Sequence, residues 1–236
     1  MSSRAQIKQR KQYIDPMKLQ TGEFQNRPIR HYPFVHCIYR VRDSIPAHLL
    51  RQAQDDYRDT LAGLRLRYPD YQNPQSADAK AFQQAKSSFL DDTQHQYDKL
   101  LHQFHNRKMT LESAAAKSVI LGSWLDMERM GWVEVFALSV MSNHVHVLCR
   151  HPEPDGVVDL YELFDPHFRF TSRRLNRLQD QKGRKVWAEK VFDRDVRPGK
   201  FATVLWYILN NPVKARLTSD PLNWVGNYVK PGLVSG

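Results

Sequence analysis

Two runs of strand-forming residues, Trp132 to Val140 and His144 to Arg150, are separated only by Met141-Ser142-Asn143. A connection that short joins antiparallel strands, because a parallel pair needs a crossover of about a dozen residues or more. This hairpin constrains the chain more than any other feature. Successive side chains on a strand point to opposite faces, so Val145 and Val147 share one face while His144 and His146 share the other. One face therefore needs a core, and the other presents two imidazoles.

The rest of the chain supplies elements for a larger sheet. The apolar run Phe34 to Val41, bounded by Pro33 and by Ser44-Ile45-Pro46, predicts a strand. From about residue 47 to 107 the composition shifts to Gln, Asp, Lys and Ala. Leu49, Leu50, Ala53, Tyr57 and Leu61 recur there at helical spacing, as do Phe82, Phe89, Tyr97, Leu100, Leu101 and Phe104. Tyr68-Pro69-Asp70-Tyr71-Gln72-Asn73-Pro74-Gln75 breaks the pattern, which predicts a helical hairpin inserted after the first strand. A further helix, capped by Thr110, is expected through Ala114 to about Met130. Residues 160–178 read as a helix, 186–192 as a short strand, and 200–210 as a last helix stopped near Pro212. That order predicts an α+β fold, an antiparallel sheet with helices on one face.

Charge and composition narrow the function. A formal net charge of +10 over 236 residues favours a polyanionic partner such as nucleic acid. No run approaches the roughly 20 apolar residues needed to span a bilayer, so no membrane is expected. The N-terminal residues have no apolar stretch of the secretory kind. Cys37 and Cys149 both fall in expected strands and read as small buried hydrophobes, without a disulfide framework. A cytoplasmic location follows as an expectation. Residues 1–30 read as a basic flexible arm, in which Arg4, Lys8, Arg10, Lys11, Arg27 and Arg30 would either grip nucleic acid or only solvate the chain.

A lone His-x-His is as compatible with a solvated strand face as with a metal pair. A histidine-triad hydrolase would need a third histidine where Leu148 stands. Tyr207 alone reads as helix packing, but Asn211 lies one helical turn on and shares its face. Its amide oxygen would complete a metal site with His144 and His146, although Pro212 makes Asn211 a helix-end residue whose direction stays open. With a divalent cation as Lewis acid and Tyr207 as nucleophile, such a set can open a phosphodiester. Ionising a phenol at neutral pH costs roughly 4 kcal/mol, which the metal or an unidentified base must offset. Imidazoles alone suit zinc or other transition metals, whereas phosphoryl chemistry favours Mg²⁺ or Mn²⁺. Arg169, Arg173, Arg174 and Arg177 recur at three- or four-residue spacing, as a phosphate-tracking or a merely solvated face. Trp206 reads as core, and His36 as structural.

These residues together resemble a known family. Met141-Ser142-Asn143-His144-Val145-His146-Val147-Leu148 resembles the His-hydrophobic-His (HUH) box of single-tyrosine transposases. Tyr207-Ile208-Leu209-Asn210-Asn211-Pro212-Val213-Lys214-Ala215-Arg216-Leu217 resembles the tyrosine helix of their REP-associated branch, the RAYT proteins. Residues 168–176 are similar to that branch's basic helix, and 186–193 to its short segment before the tyrosine helix. Trp224 and Tyr228 fall where such proteins carry aromatic residues. The likeness covers about residues 31–41 and 110–230, with the motifs in the family's order.

The resemblance implies a ferredoxin-like sheet with helices on one face. It implies a transposase domain over residues 31–230, preceded by the 1–30 arm and interrupted by the helical insertion at about 47–107. It makes His144, His146 and Asn211 ligands of Mg²⁺ or Mn²⁺, and Tyr207 a nucleophile that forms a 5′-phosphotyrosine. Arg169, Arg173, Arg174 and Arg177 become DNA contacts. The implied substrate is single-stranded or hairpin DNA, nicked and rejoined, with the protein a monomer or homodimer. Ser142 stands where proline is usual, and the insertion is longer than the usual connection. The alternatives are a domesticated hairpin-binding protein that no longer cuts, and a metal phosphodiesterase that uses water.

Overall fold

In this computed structural model the described residues are 33–104, 111–154, 156 and 158–234, without the side chain of Tyr161. The 1–30 arm and the expected Thr110 cap lie outside them. In chain order the elements are β1 (Phe34–Val41), α1 (Ala47–Arg67), α2 (Ala77–Gln103), α3 (Ala114–Arg129), β2 (Glu134–Val140) and β3 (His144–Arg150). There follow α4 (Leu160–Leu178), β4 (Trp187–Asp195), α5 (Phe201–Leu209), the short α6 (Asn211–Lys214) and β5 (Asn227–Val229). The chain divides into two compact units, residues 43–105 and the remainder.

The larger unit is built on a five-stranded sheet in the order β4-β1-β3-β2-β5, with every neighbouring pair antiparallel. Alternation along the two central strands separates their faces. Val35, Cys37, Tyr39 and Val41 of β1 join Val145, Val147 and Cys149 of β3 in the main core, all buried. Ile120, Trp124 and Met127 of α3 and Phe164, Phe168 and Leu175 of α4 cover that face. The helix α3 starts at Ser113, whose side chain accepts from Ala116 N at 3.1 Å and satisfies an amide that the helix leaves unpaired.

The expectation of an antiparallel sheet with helices on one face describes α3 and α4. The helix α5 lies across the opposite face, for a reason visible in β2. A bulge between Val135 and Ala137 sets two residues of β2 against one of β3. Phe136 and Ala137 thereby both join Leu148 on the second face, an apolar patch that Leu205, Ile208 and Leu209 of α5 bury. The edge strand β5 has no counterpart among the strands expected from the sequence. Its approach depends on Gly226, where an added Cβ would lie 2.4 Å from Val140 O. Asn227 Nδ2 then donates to Leu209 O and Pro221 O, both at 2.8 Å, which ties the end of α5 to the sheet edge.

The smaller unit is a pair of long helices. Tyr57 of α1 stacks on Phe89 of α2 with ring centroids 5.5 Å apart, and Tyr71 in the connection packs on Phe82 at 4.5 Å. Ser76 caps α2 by accepting from Ala79 N, while its hydroxyl donates to Asp70 O at 2.8 Å. Cys37 and Cys149 are both buried, and no disulfide joins them. No described helix is long and apolar enough to cross a membrane.

Candidate active site

The second face of the sheet carries the His-x-His pair. His144 opens β3 and His146 follows on the same face, 1% and 0% exposed. Their rings stand 5.0 Å apart, centroid to centroid. The connection that carries them is pinned to β1, because Val41 N donates to Asn143 O at 2.8 Å. The Nδ1–H of His144 donates to Asn143 Oδ1 at 2.7 Å. With the proton held on Nδ1, a neutral His144 ring keeps its lone pair on Nε2.

Across the strand pair, Ile38 is opposite His146 and His36 opposite Leu148, so His36 is the diagonal neighbour of His146 on the same face. His36 Nε2 lies 3.1 Å from His146 Nδ1. Burial pushes His36 from 6.5 down to about 3, with the positive charge of Arg194 on β4 adding to the effect. His36 is therefore a neutral imidazole at physiological pH.

The helix α5 brings Tyr207 over this cluster. Its half-buried ring lies edge-on to His146 at 6.2 Å and to His36 at 6.0 Å. Helical backbone does not end at Pro212. Proline sits in the first turn of α6, where a missing N–H costs nothing, and Lys214 N and Ala215 N bond back to Asn210 O and Asn211 O. Tyr207, Asn211 and Lys214 thus occupy successive turns, and the Lys214 ammonium lies 3.8 Å from the Tyr207 ring centre.

The direction of Asn211, open from sequence, is set by its amide nitrogen. Nδ2 donates to Tyr207 O at 3.0 Å and to Ile208 O at 3.3 Å. The residue is 1% exposed, and its Oδ1 accepts no hydrogen bond among the described residues. A buried amide oxygen in that condition costs about 1–3 kcal/mol unless something else engages it, and a hard cation is such a partner. Among the described residues no group of three His, Cys, Asp or Glu is arranged to hold a metal. A cation here would depend on Asn211 as third protein ligand beside His144 and His146, and the donor set fits one.

The four arginines do not form a single group. Arg169, Arg173 and Arg177 line a cavity of about 790 Å³ between α4 and the segment leading into β4, together with Lys182, Arg184 and Lys185. Asp165 in its wall pairs with Arg169 at 3.1 Å. Arg174 is not among the lining residues and stacks over the ring of Phe170 at 5.6 Å. This groove belongs to the α4 side of the sheet, and Tyr207 to the α5 side.

The site also holds residues to which the sequence assigns no such role: His36, Asn143 and Lys214. The signal for Asn143 is its place beside the pair in a turn too short to bury elsewhere. His36 has no such signal, since its partner lies 110 residues away. Trp206, expected in the core, is 40% exposed, because Leu205, Ile208 and Leu209 already form the buried stripe of α5.

No family model matches this chain, and no curated protein matches it. Among solved structures, one described as a REP-associated tyrosine transposase bound to a REP hairpin matches with 16% identity and a TM-score of 0.39. The match covers 84% of this chain and 79% of that one.

Proposed function

We propose that this chain nicks and rejoins single-stranded DNA beside hairpins, with Tyr207 as the nucleophile. The observation that carries the reading is the meeting, on one sheet face, of the His144–His146 pair with a half-buried tyrosine whose helix continues into Asn211 and its unbonded, buried Oδ1. A divalent cation, Mg²⁺ or Mn²⁺, held by His144, His146 and Asn211 would supply Lewis-acid polarisation of the scissile phosphate when bound.

The protein's own groups account for the remainder. Tyr207 Oη attacks phosphorus, the bond from phosphorus to the 3′ oxygen breaks, and the phenol proton is balanced by the one the released 3′-hydroxyl gains. The product is a 5′-phosphotyrosine, which keeps the phosphodiester energy so that a 3′-hydroxyl can later displace Tyr207 and reseal the strand. Lys214 sets a positive charge beside the group that takes up the phosphate. Asn143 holds the ring of His144 in the tautomer a ligand needs. The groove of Arg169, Arg173 and Arg177 suits the backbone of a paired stem, with Arg174 a separate contact beside it.

A covalent-trapping assay tests this. Purified protein, Mg²⁺ or Mn²⁺ and labelled single-stranded DNA carrying hairpins are combined and resolved on denaturing gels. A labelled adduct formed by wild type and lost in Tyr207→Phe is the expected result. Cleavage by both without an adduct would replace the reading with a water-using phosphodiesterase. Tight hairpin binding with neither product would replace it with a binding protein.

A further inference from the structure

We propose that His36 is a positioning residue: its Nε2 accepts the Nδ1 proton of His146 and so holds the lone pair of His146 on Nε2, where a cation can use it. The proposal rests on the metal site proposed above and extends it by one layer. The two facing nitrogens are 3.1 Å apart, and the rings are nearly parallel, 21° between planes, with centroids 5.3 Å apart. That separation is what two imidazoles meeting nitrogen to nitrogen, edge to edge, produce. Both side chains are buried, 2% and 0% exposed.

One proton lies between the two facing nitrogens, and its owner decides what His146 can do. If His36 donated, the single proton of a neutral His146 would sit on Nε2, and that nitrogen would have no lone pair for a metal. If His146 donates, its Nε2 is a ligand. His144 already shows the second arrangement, with Asn143 Oδ1 accepting from its Nδ1. Histidine ligands characteristically give their other N–H to such an acceptor, which fixes both tautomer and ring orientation. His36 does for His146 what Asn143 does for His144. Its ring also meets the Tyr207 ring edge-on at 6.0 Å, so one side chain abuts both the ligand and the nucleophile.

The test reads the tautomer directly in metal-free, full-length protein, by long-range ¹H–¹⁵N NMR of histidine-labelled samples. His146 is expected as the Nδ1–H form in wild type. His36→Gln, whose amide oxygen reaches the same point, should preserve it, while the shorter His36→Asn and the apolar His36→Leu should lose it. Mn²⁺ affinity, measured by calorimetry, should fall about 10–100-fold in His36→Leu and recover in His36→Gln. A wild-type His146 protonated on Nε2 overturns the proposal without any variant having to fold. So does Mn²⁺ binding that His36→Leu leaves unchanged. The expected tautomer in a wild type that binds no Mn²⁺ overturns the metal reading instead, and with it the purpose given to His36, while its hydrogen bond stands.

Discussion

The two faces of the central strands bury histidines in opposite ways. On the α3–α4 face His167 is locked into a closed network. Trp124 Nε1–H donates to Tyr39 Oη at 2.9 Å, the Tyr39 hydroxyl shares a hydrogen bond with His167 Nε2 at 2.8 Å, and Ser123 Oγ shares one with His167 Nδ1 at 2.8 Å. Every polar atom of that imidazole is used, and aromatic rings fill the space around it. On the α5 face the Nδ1 atoms of His144 and His146 are engaged by Asn143 and His36, and Asn211 brings a buried oxygen that no donor among the described residues reaches. A network that closes on itself stabilises a fold. One that leaves a buried oxygen without a donor is the reason a metal is proposed on that face.

The sharpest way to separate the faces is Tyr207→Phe. Covalent adduct formation should vanish while thermal stability stays near wild type, as shown by paired gels and melting curves. A large loss of stability would move Tyr207 to the structural side of the comparison. Trp124→Ala is the opposite case. It empties a fully buried site and breaks the Tyr39 hydrogen bond, so denaturant titration should show a loss of about 3–5 kcal/mol. A loss below about 1 kcal/mol would mean that the main core is elsewhere.

A pH series is the next test. Burial pushes His167 from 6.5 to about 3. Between those values the unfolded chain takes up a proton that the native chain refuses, so stability falls as pH falls through that window. The slope from this one group is about 1.4 kcal/mol per pH unit. His167→Gln should flatten the decline by that amount. An unchanged slope would show that His167 is protonated in the native state. The smallest effect is expected at the groove. Arg173→Ala and Arg177→Ala should each lower the salt-dependence slope of hairpin binding by about 1, and Arg169→Ala by less, because Asp165 already neutralises part of its charge. Equal effects from Arg174→Ala would enlarge the surface beyond the groove.

Much of the fold and part of the site are legible in the sequence. The strand containing His144 and His146, its hairpin partner, the α4 helix and the alternation of β1 follow from local rules of period and turn length. Asn211 is legible as a companion of Tyr207 one turn away, but its direction is not. That depends on helical backbone resuming at Asn211 and running through Pro212 as α6, and on two backbone carbonyls holding the amide nitrogen. Trp206 reads wrongly as core because a helix with several large apolar residues does not declare which of them is left over once the sheet is covered. The split of Arg174 from its three neighbours is hidden for a similar reason: spacing of three or four places residues near one another without saying where a groove edge falls.

By itself the sequence determined which residues alternate, which turn could close, and that two imidazoles and a tyrosine were present in motifs that resemble one family. Only the tertiary structure decided that α5 crosses the face opposite α3 and α4, because a bulge in β2 creates the patch it covers. Only the structure brought His36 to His146, because strand register is a long-range property. Local propensity shapes β1 and β3 separately, but the pairing of residues 110 apart is settled by the packing of both sheet faces at once.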